Sequence, residues 1–156
     1  MKSNQKGFSL VELLVVVIII AIVAAIAIPN LLASRRAANE ASAISSLRTI
    51  HSAEATYQAT IGQNTAYSAT LLELSTAAGG NLIDGTLGAG AKSGYAFVEH
   101  GASQIYCATA APTTAGTTGD RYFAVSEPGV IYQSTAAASC SGGGVYAAGT
   151  SAAAIQ

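Results

Sequence analysis

Leu13–Ile28 reads LLVVVIIIAIVAAIAI, sixteen unbroken apolar residues, with Phe8, Leu10 and Val11 leading into it. As a helix this run is about 24 Å long. Counted from Phe8 it approaches the ~30 Å hydrocarbon core of a bilayer. The rest of the 156-residue chain is too small and too polar to wrap a rod that is apolar all round, which argues against a buried core helix. A removed secretory signal is the other competitor, because Lys2 and Lys6 form a basic region ahead of the run. Against it, the run flows through AIAIPNLLASRR into more helix-forming sequence, not into the start of a domain. The reading is a retained membrane helix.

Composition excludes several function classes. The chain is 51% hydrophobic and only 10% charged, against roughly 25% charged in an ordinary soluble domain. A formal net charge of -1 provides no basic field to draw nucleic acid, and there is no acidic run to form a solvated tail. One charge is out of place. Glu12 sits just inside the apolar segment, where a carboxylate at a helix centre costs about 2.5–3.5 kcal/mol on insertion scales. Such residues are functional candidates, and the question is what neutralises them. If the chain begins at Phe8, its α-amino group is a cation one helical turn from Glu12, and a neighbouring copy's amine is an equivalent partner. Close to the interface, Glu12 would simply stay hydrated.

Lys6-Gly7-Phe8-Ser9-Leu10-Val11-Glu12-Leu13-Leu14 resembles the class III signal of type IV pilins and their pseudopilin relatives. In that family a prepilin peptidase cuts after the glycine and methylates the new N-terminal phenylalanine, and the apolar stretch stays on the mature protein. The resemblance implies that Gly7 is the cleavage residue, Phe8 the methylated N-terminus, Glu12 the acidic residue of assembly, and Pro29 the kink that ends the membrane-spanning part. It is strong from Lys6 to about Tyr57 and vague after Gly62. Many relatives carry a glycine where Ala21 stands, so less melting is expected before Pro29 here, glycine costing a helix about 1 kcal/mol relative to alanine.

The chain divides into a leader (1–7), a long N-terminal helix (8–62) whose transmembrane half is 8–29, and a head (63–156). Pro29 lacks a backbone N–H and should kink the helix without ending it. Leu47, Ile50, Tyr57 and Ile61 form one helical stripe, marred by Glu54, with Ser45, Arg48, Thr49 and Ser52 opposite. Gly62 is a natural C-terminal cap. Leu71, Leu72 and Leu74 suggest one helical turn in a glycine-rich connection. Tyr95–Glu99, Gln104–Thr109, Tyr122–Ser126 and Val130–Gln133 are strand signals, the last two joined by the turn Glu127-Pro128-Gly129. The fold class expected is α+β, a long helix packed against a three- or four-stranded antiparallel sheet, as the resemblance also implies. From Thr135 the tail is low-complexity Ala/Ser/Gly, with Val145 and Tyr146 its bulky residues, flexible or a weak edge strand.

Cys107 lies in a predicted strand and Cys140 in the tail. If the head is outside the cytoplasm a disulfide is the natural reading; two unpaired thiols are the alternative. Other motifs are weak. In Gly85–Ser93, GTLGAGAKS, Ala91 stands where a phosphate loop needs glycine and Ser93 where a dinucleotide fingerprint does, so a plain surface loop is expected. His51 and Glu54, at i, i+3, lack further ligands for a metal and read as an exposed polar pair. His100 beside Gly101 reads as a turn residue, and Asp120-Arg121 as turn chemistry or a surface pair. Arg35 and Arg36 would face headgroups before assembly and then pair with Glu40 or another subunit's carboxylates, or form a solvated charged turn. No nucleophile is placed beside a base, so no enzyme, cofactor or metal is expected.

The resemblance implies a structural subunit of a type IV pilus or pilus-like filament. Its precursor would be single-pass in the inner membrane and its assembled form extracellular, its partners being further copies of itself, prepilin peptidase and the assembly machinery. The alternative is a pseudopilin of a type II secretion or DNA-uptake system. Major secretion pseudopilins carry a proline/threonine/glutamate/glycine motif and an acidic calcium site, and neither is evident, Asp120 and Glu127 being the acidic residues beyond His100.

Overall fold

The computed structural model describes residues 7–140, 146–147 and 153–155. Of the expected leader only Gly7 falls within these residues, and Val145 lies outside them. Contacts divide the chain after Arg35 into two compact units. One helix, α1, runs Leu10–Thr60 with Pro29 inside it and no break between Ala21 and Pro29.

In the first unit every large apolar side chain from Phe8 to Leu32 is exposed. The helix is long and apolar enough to cross a membrane by length and composition. None of the described residues of the unit covers it.

The second unit is an α+β layer. On the Arg36–Thr60 part of α1, Ala43, Leu47, Ile50, Ala53, Glu54 and Tyr57 are buried, while Ser45, Arg48, Thr49 and Ser52 are exposed as the periodicity demands. Ile61 departs from the expected stripe and is exposed, because the helix stops at Thr60. The stop is built differently from a glycine cap in the left-handed region. Gly62 N–H bonds to Tyr57 O at 2.8 Å, and Gln63 and Asn64 carry the positive φ angles. Glycine is needed at 62 because a Cβ would lie 2.0 Å from Ala66 O. Two short helices follow, α2 (Leu71–Ser75) capped by the Thr70 side chain and α3 (Gly85–Gly88) capped by Asp84.

The strands are β1 (Ala91–Lys92), β2 (Tyr95–Ala102), β3 (Ile105–Pro112), β4 (Tyr122–Ser126), β5 (Ile131–Ser134), β6 (Ser139–Cys140), β7 (Tyr146–Ala147) and β8 (Ala153–Ile155). The main sheet is antiparallel throughout with order β1-β2-β3-β4-β5-β8, and β6 pairs with β7. The expected meander is β2 to β5. The sheet exceeds three or four strands because two short edges join it, one of them from the tail. His100, expected in a turn, is a strand residue: β2 and β3 run on to pair Ala102 with Ile105. The β4–β5 turn forms as expected, with Gly129 N–H donating to Ser126 O at 2.8 Å and Gly129 at φ +74.

Register and the period of two decide what faces α1. Tyr95, Phe97 and Glu99 oppose Pro112, Ala110 and Ala108, while Ala110 and Ala108 oppose Phe123 and Val125. All but Glu99 are apolar, and every one of these side chains is buried. Cys107 points to the other face, also fully buried, and is disulfide-bonded to Cys140 with a Cα–Cα distance of 5.9 Å. The bridge fastens β6 to the sheet face opposite the helix.

Candidate functional site

Gly7 and Phe8 precede the helix. Phe8 is 79% exposed, and a Cβ placed on Gly7 would meet nothing within 4 Å. Neither residue lies in a helix or strand. Leu13 N–H bonds to Ser9 O at 3.2 Å, which closes the first turn around Glu12. Glu12 stands in that first turn, where the positive end of the helix dipole favours a carboxylate. It is the one acidic residue from Phe8 to Asn39.

The second unit carries two polar constellations. In the first, Glu40 of α1 is 93% buried, being 7% exposed, and grips the loop before β4. It accepts from Asp120 N–H (2.9 Å), Arg121 N–H (3.3 Å) and Arg121 Nε (2.8 Å), and Arg121 Nη2 lies 2.7 Å away. Burial pushes the Glu40 carboxyl up, but the hydrogen bonds from Asp120 and Arg121 outweigh it and hold the group below the ordinary carboxylate range. Arg36 pairs with Asp120 at 3.0 Å. Within the chain Arg36 and Glu40 each pair with the loop before β4, and Asp120-Arg121 is a clamp instead of a surface pair. Asp84, which caps α3, pairs with Lys92 at 2.9 Å. GTLGAGAKS, expected as a plain surface loop, instead forms α3 and β1, with Leu87 and Gly88 buried.

The second constellation corrects the reading of His51 and Glu54 as an exposed pair. Glu54 is completely buried, occupying the apolar position between Ile50 and Tyr57, while His51 is half-buried with Nδ1 2.5 Å from Tyr106 Oη of β3. Glu54 accepts from Ser68 N–H (3.0 Å) and from the Ser68 hydroxyl. Beside it stands Glu99 of β2, 6% exposed, and neither Glu99 oxygen meets a donor among the described residues. Burial first, and the Glu54 carboxylate second, push the Glu99 carboxyl far above its ordinary range. The segment before α2 is pressed close: Tyr67 N–H donates to Ser103 O at 2.9 Å, and a Cβ on Gly101 would lie 1.7 Å from Ser68 O. Tyr57 Oη donates to Glu73 Oε1 at 2.6 Å; that bond, with burial, pushes the phenol up to about 12. The sequence carries one signal for this cluster: both acids fall on the apolar period of their elements.

Among the described residues no group of three or more His, Cys, Asp or Glu side chains is arranged to hold a metal. Residues 2–28 match the family described as the prokaryotic N-terminal methylation motif. The chain is similar to the type IV wide pilus major component of Thermus thermophilus, 62% identical over 37 residues. That similarity covers 24% of this chain and 28% of the relative. No solved structure matches the chain.

Proposed function

We propose that this chain is a structural subunit of a type IV pilus or pilus-like filament. Prepilin peptidase cuts after Gly7 and Phe8 becomes the methylated N-terminus. The apolar helix holds the precursor in the inner membrane, single-pass, and is later packed against copies of itself in an extracellular filament. Pro29 is the kink that ends the spanning part. The observation that carries the reading is an uncovered apolar stretch of helix, up to Leu32, whose one carboxylate, Glu12, stands a turn from the Phe8 amine, in a segment matching the N-terminal methylation motif. The similarity to a major pilus component over 37 residues supports a subunit built on such a helix.

Magnitudes favour pairing. At about 6 Å and an effective dielectric of ~20, an amine and a carboxylate attract by about 3 kcal/mol. That is the size of the ~2.5–3.5 kcal/mol cost of an acid within a membrane helix. A subunit that pairs Glu12 with a neighbour's Phe8 amine therefore offsets the charge and fixes its axial register. Small residues Ala21, Ala24, Ala25 and Ala27 let such helices approach closely. Glu12→Ala should be processed at Gly7 normally and fail to assemble, read by mass spectrometry of the membrane pool beside filament yield. Wild-type filament yield from that variant would refute the pairing.

A further inference from the structure

We propose that Glu54 and Glu99 share a single proton inside the head, forming an acid–carboxylate bond that fastens strand β2 to helix α1 and opens in alkali. Geometry assigns the roles. Glu54 is bonded at both oxygens, one accepting from the Ser68 N–H and the other meeting the Ser68 hydroxyl, so it is the better stabilised of the two carboxyls and the one to hold the charge. Among the described residues no donor is in hydrogen-bonding geometry with either Glu99 oxygen, the neighbouring Ser68 hydroxyl being turned to Glu54, although Glu99 faces the helix in the row of Tyr95 and Phe97. An ionised Glu99 there would be a buried, unsolvated charge beside another of the same sign. A protonated Glu99 is a donor, and its natural acceptor is Glu54. Two carboxyl groups sharing one site keep one proton for this reason.

Among the described residues no lysine or arginine acts on Glu99. From α1 the cluster meets His51 and Tyr57, from the segment before α2 Tyr67, from α2 Glu73, from β3 Tyr106, and from the β4–β5 turn Glu127. Glu54 and Glu73 are at hand to repel an ionised Glu99. The histidine of α1, His51, is bonded to Tyr106. A divalent cation would need six or more oxygen ligands, and Ser68 is already committed as a donor to Glu54.

The sign follows from proton linkage. Glu99 binds its proton more tightly folded than unfolded, so the contribution is full below the ordinary carboxylate range and is lost as pH rises toward the elevated folded value. Across that span the unfolding equilibrium constant should grow by up to tenfold per pH unit.

The test uses the full chain in detergent micelles, with urea unfolding at a series of pH values from mildly acidic to alkaline and an infrared spectrum in heavy water at neutral pH. The wild type should show the carbonyl band of a protonated carboxylic acid at neutral pH. Its unfolding constant should climb with pH. Glu99→Gln, whose amide can still donate to Glu54, should lack the band and lose about one proton's worth of that slope. A wild type with no acid band at neutral pH would overturn the proposal, whether or not the variant folds. So would an unchanged slope in Glu99→Gln. Stabilisation by calcium or magnesium that chelation reverses and Glu99→Gln abolishes would replace the proton with a cation.

Discussion

Reducing the Cys107–Cys140 bridge should destabilise the head by an amount that can be worked out in advance. The two cysteines are 33 residues apart in sequence. For a loop of about 34 residues the chain-entropy relation gives about 12–13 cal/mol/K, or ~3.8 kcal/mol at 25 °C. Other costs are small by comparison. Cys107 is fully buried and a free thiol there packs as a small apolar group, while Cys140 is half-buried. Cys140→Ser therefore isolates the loop term better than a change at Cys107. The assay is urea unfolding of the full chain in detergent, followed by tyrosine circular dichroism, for oxidised wild type, reduced wild type and Cys140→Ser. With a slope of about 1.5–2 kcal/mol per molar urea, both open forms should unfold roughly 2 M urea earlier than the oxidised chain. If all three midpoints agreed within about 0.5 kcal/mol on that scale, the reasoning would fail, because the bridge would not be restraining the unfolded chain.

Three further outcomes test the packing. Glu40→Ala should cost about 2 kcal/mol by chemical denaturation, less than the ~3–5 kcal/mol of a fully buried pair because Arg121 is 44% exposed. Since the Glu40 carboxyl is held below its ordinary range, its contribution is present at neutral pH and lost as pH falls below that range, so the wild-type and Glu40→Ala stabilities should converge in acid. Gly101→Ala drives a methyl into the Ser68 carbonyl and should cost about 2 kcal/mol or more, whereas Gly85→Ala, with open space around it, should be nearly neutral; equal thermal midpoints for the two would be incompatible with the close approach at Ser68. Tyr57→Phe removes the hydroxyl bonded to Glu73 and should cost about 1 kcal/mol in the same urea assay.

The legible parts of the fold were those written in side-chain bulk. The apolar run, the Leu47/Ile50/Tyr57 stripe and the four bulky strands each carry a periodic signal that local geometry alone produces. The edges β1 and β8 read Ala-Lys and Ala-Ala-Ile, and alanine signals no strand; these segments are strands because a neighbour offers them a ladder. Glu40 and Arg121 are 81 residues apart, so their bond depends on topology and left no local trace. Glu54 and Glu99 were hidden for another reason. Each sits on a core-facing position, and a carboxyl there reads as an imperfection until its partner on the other element is known.

Mass spectrometry of the N-terminus of the chain, on filaments sheared from cells and imaged by electron microscopy, tests the filament-subunit account most directly. The account predicts long filaments whose dominant subunit begins at methylated Phe8. Filaments lacking this chain, or a chain found only with Met1 intact, would contradict it.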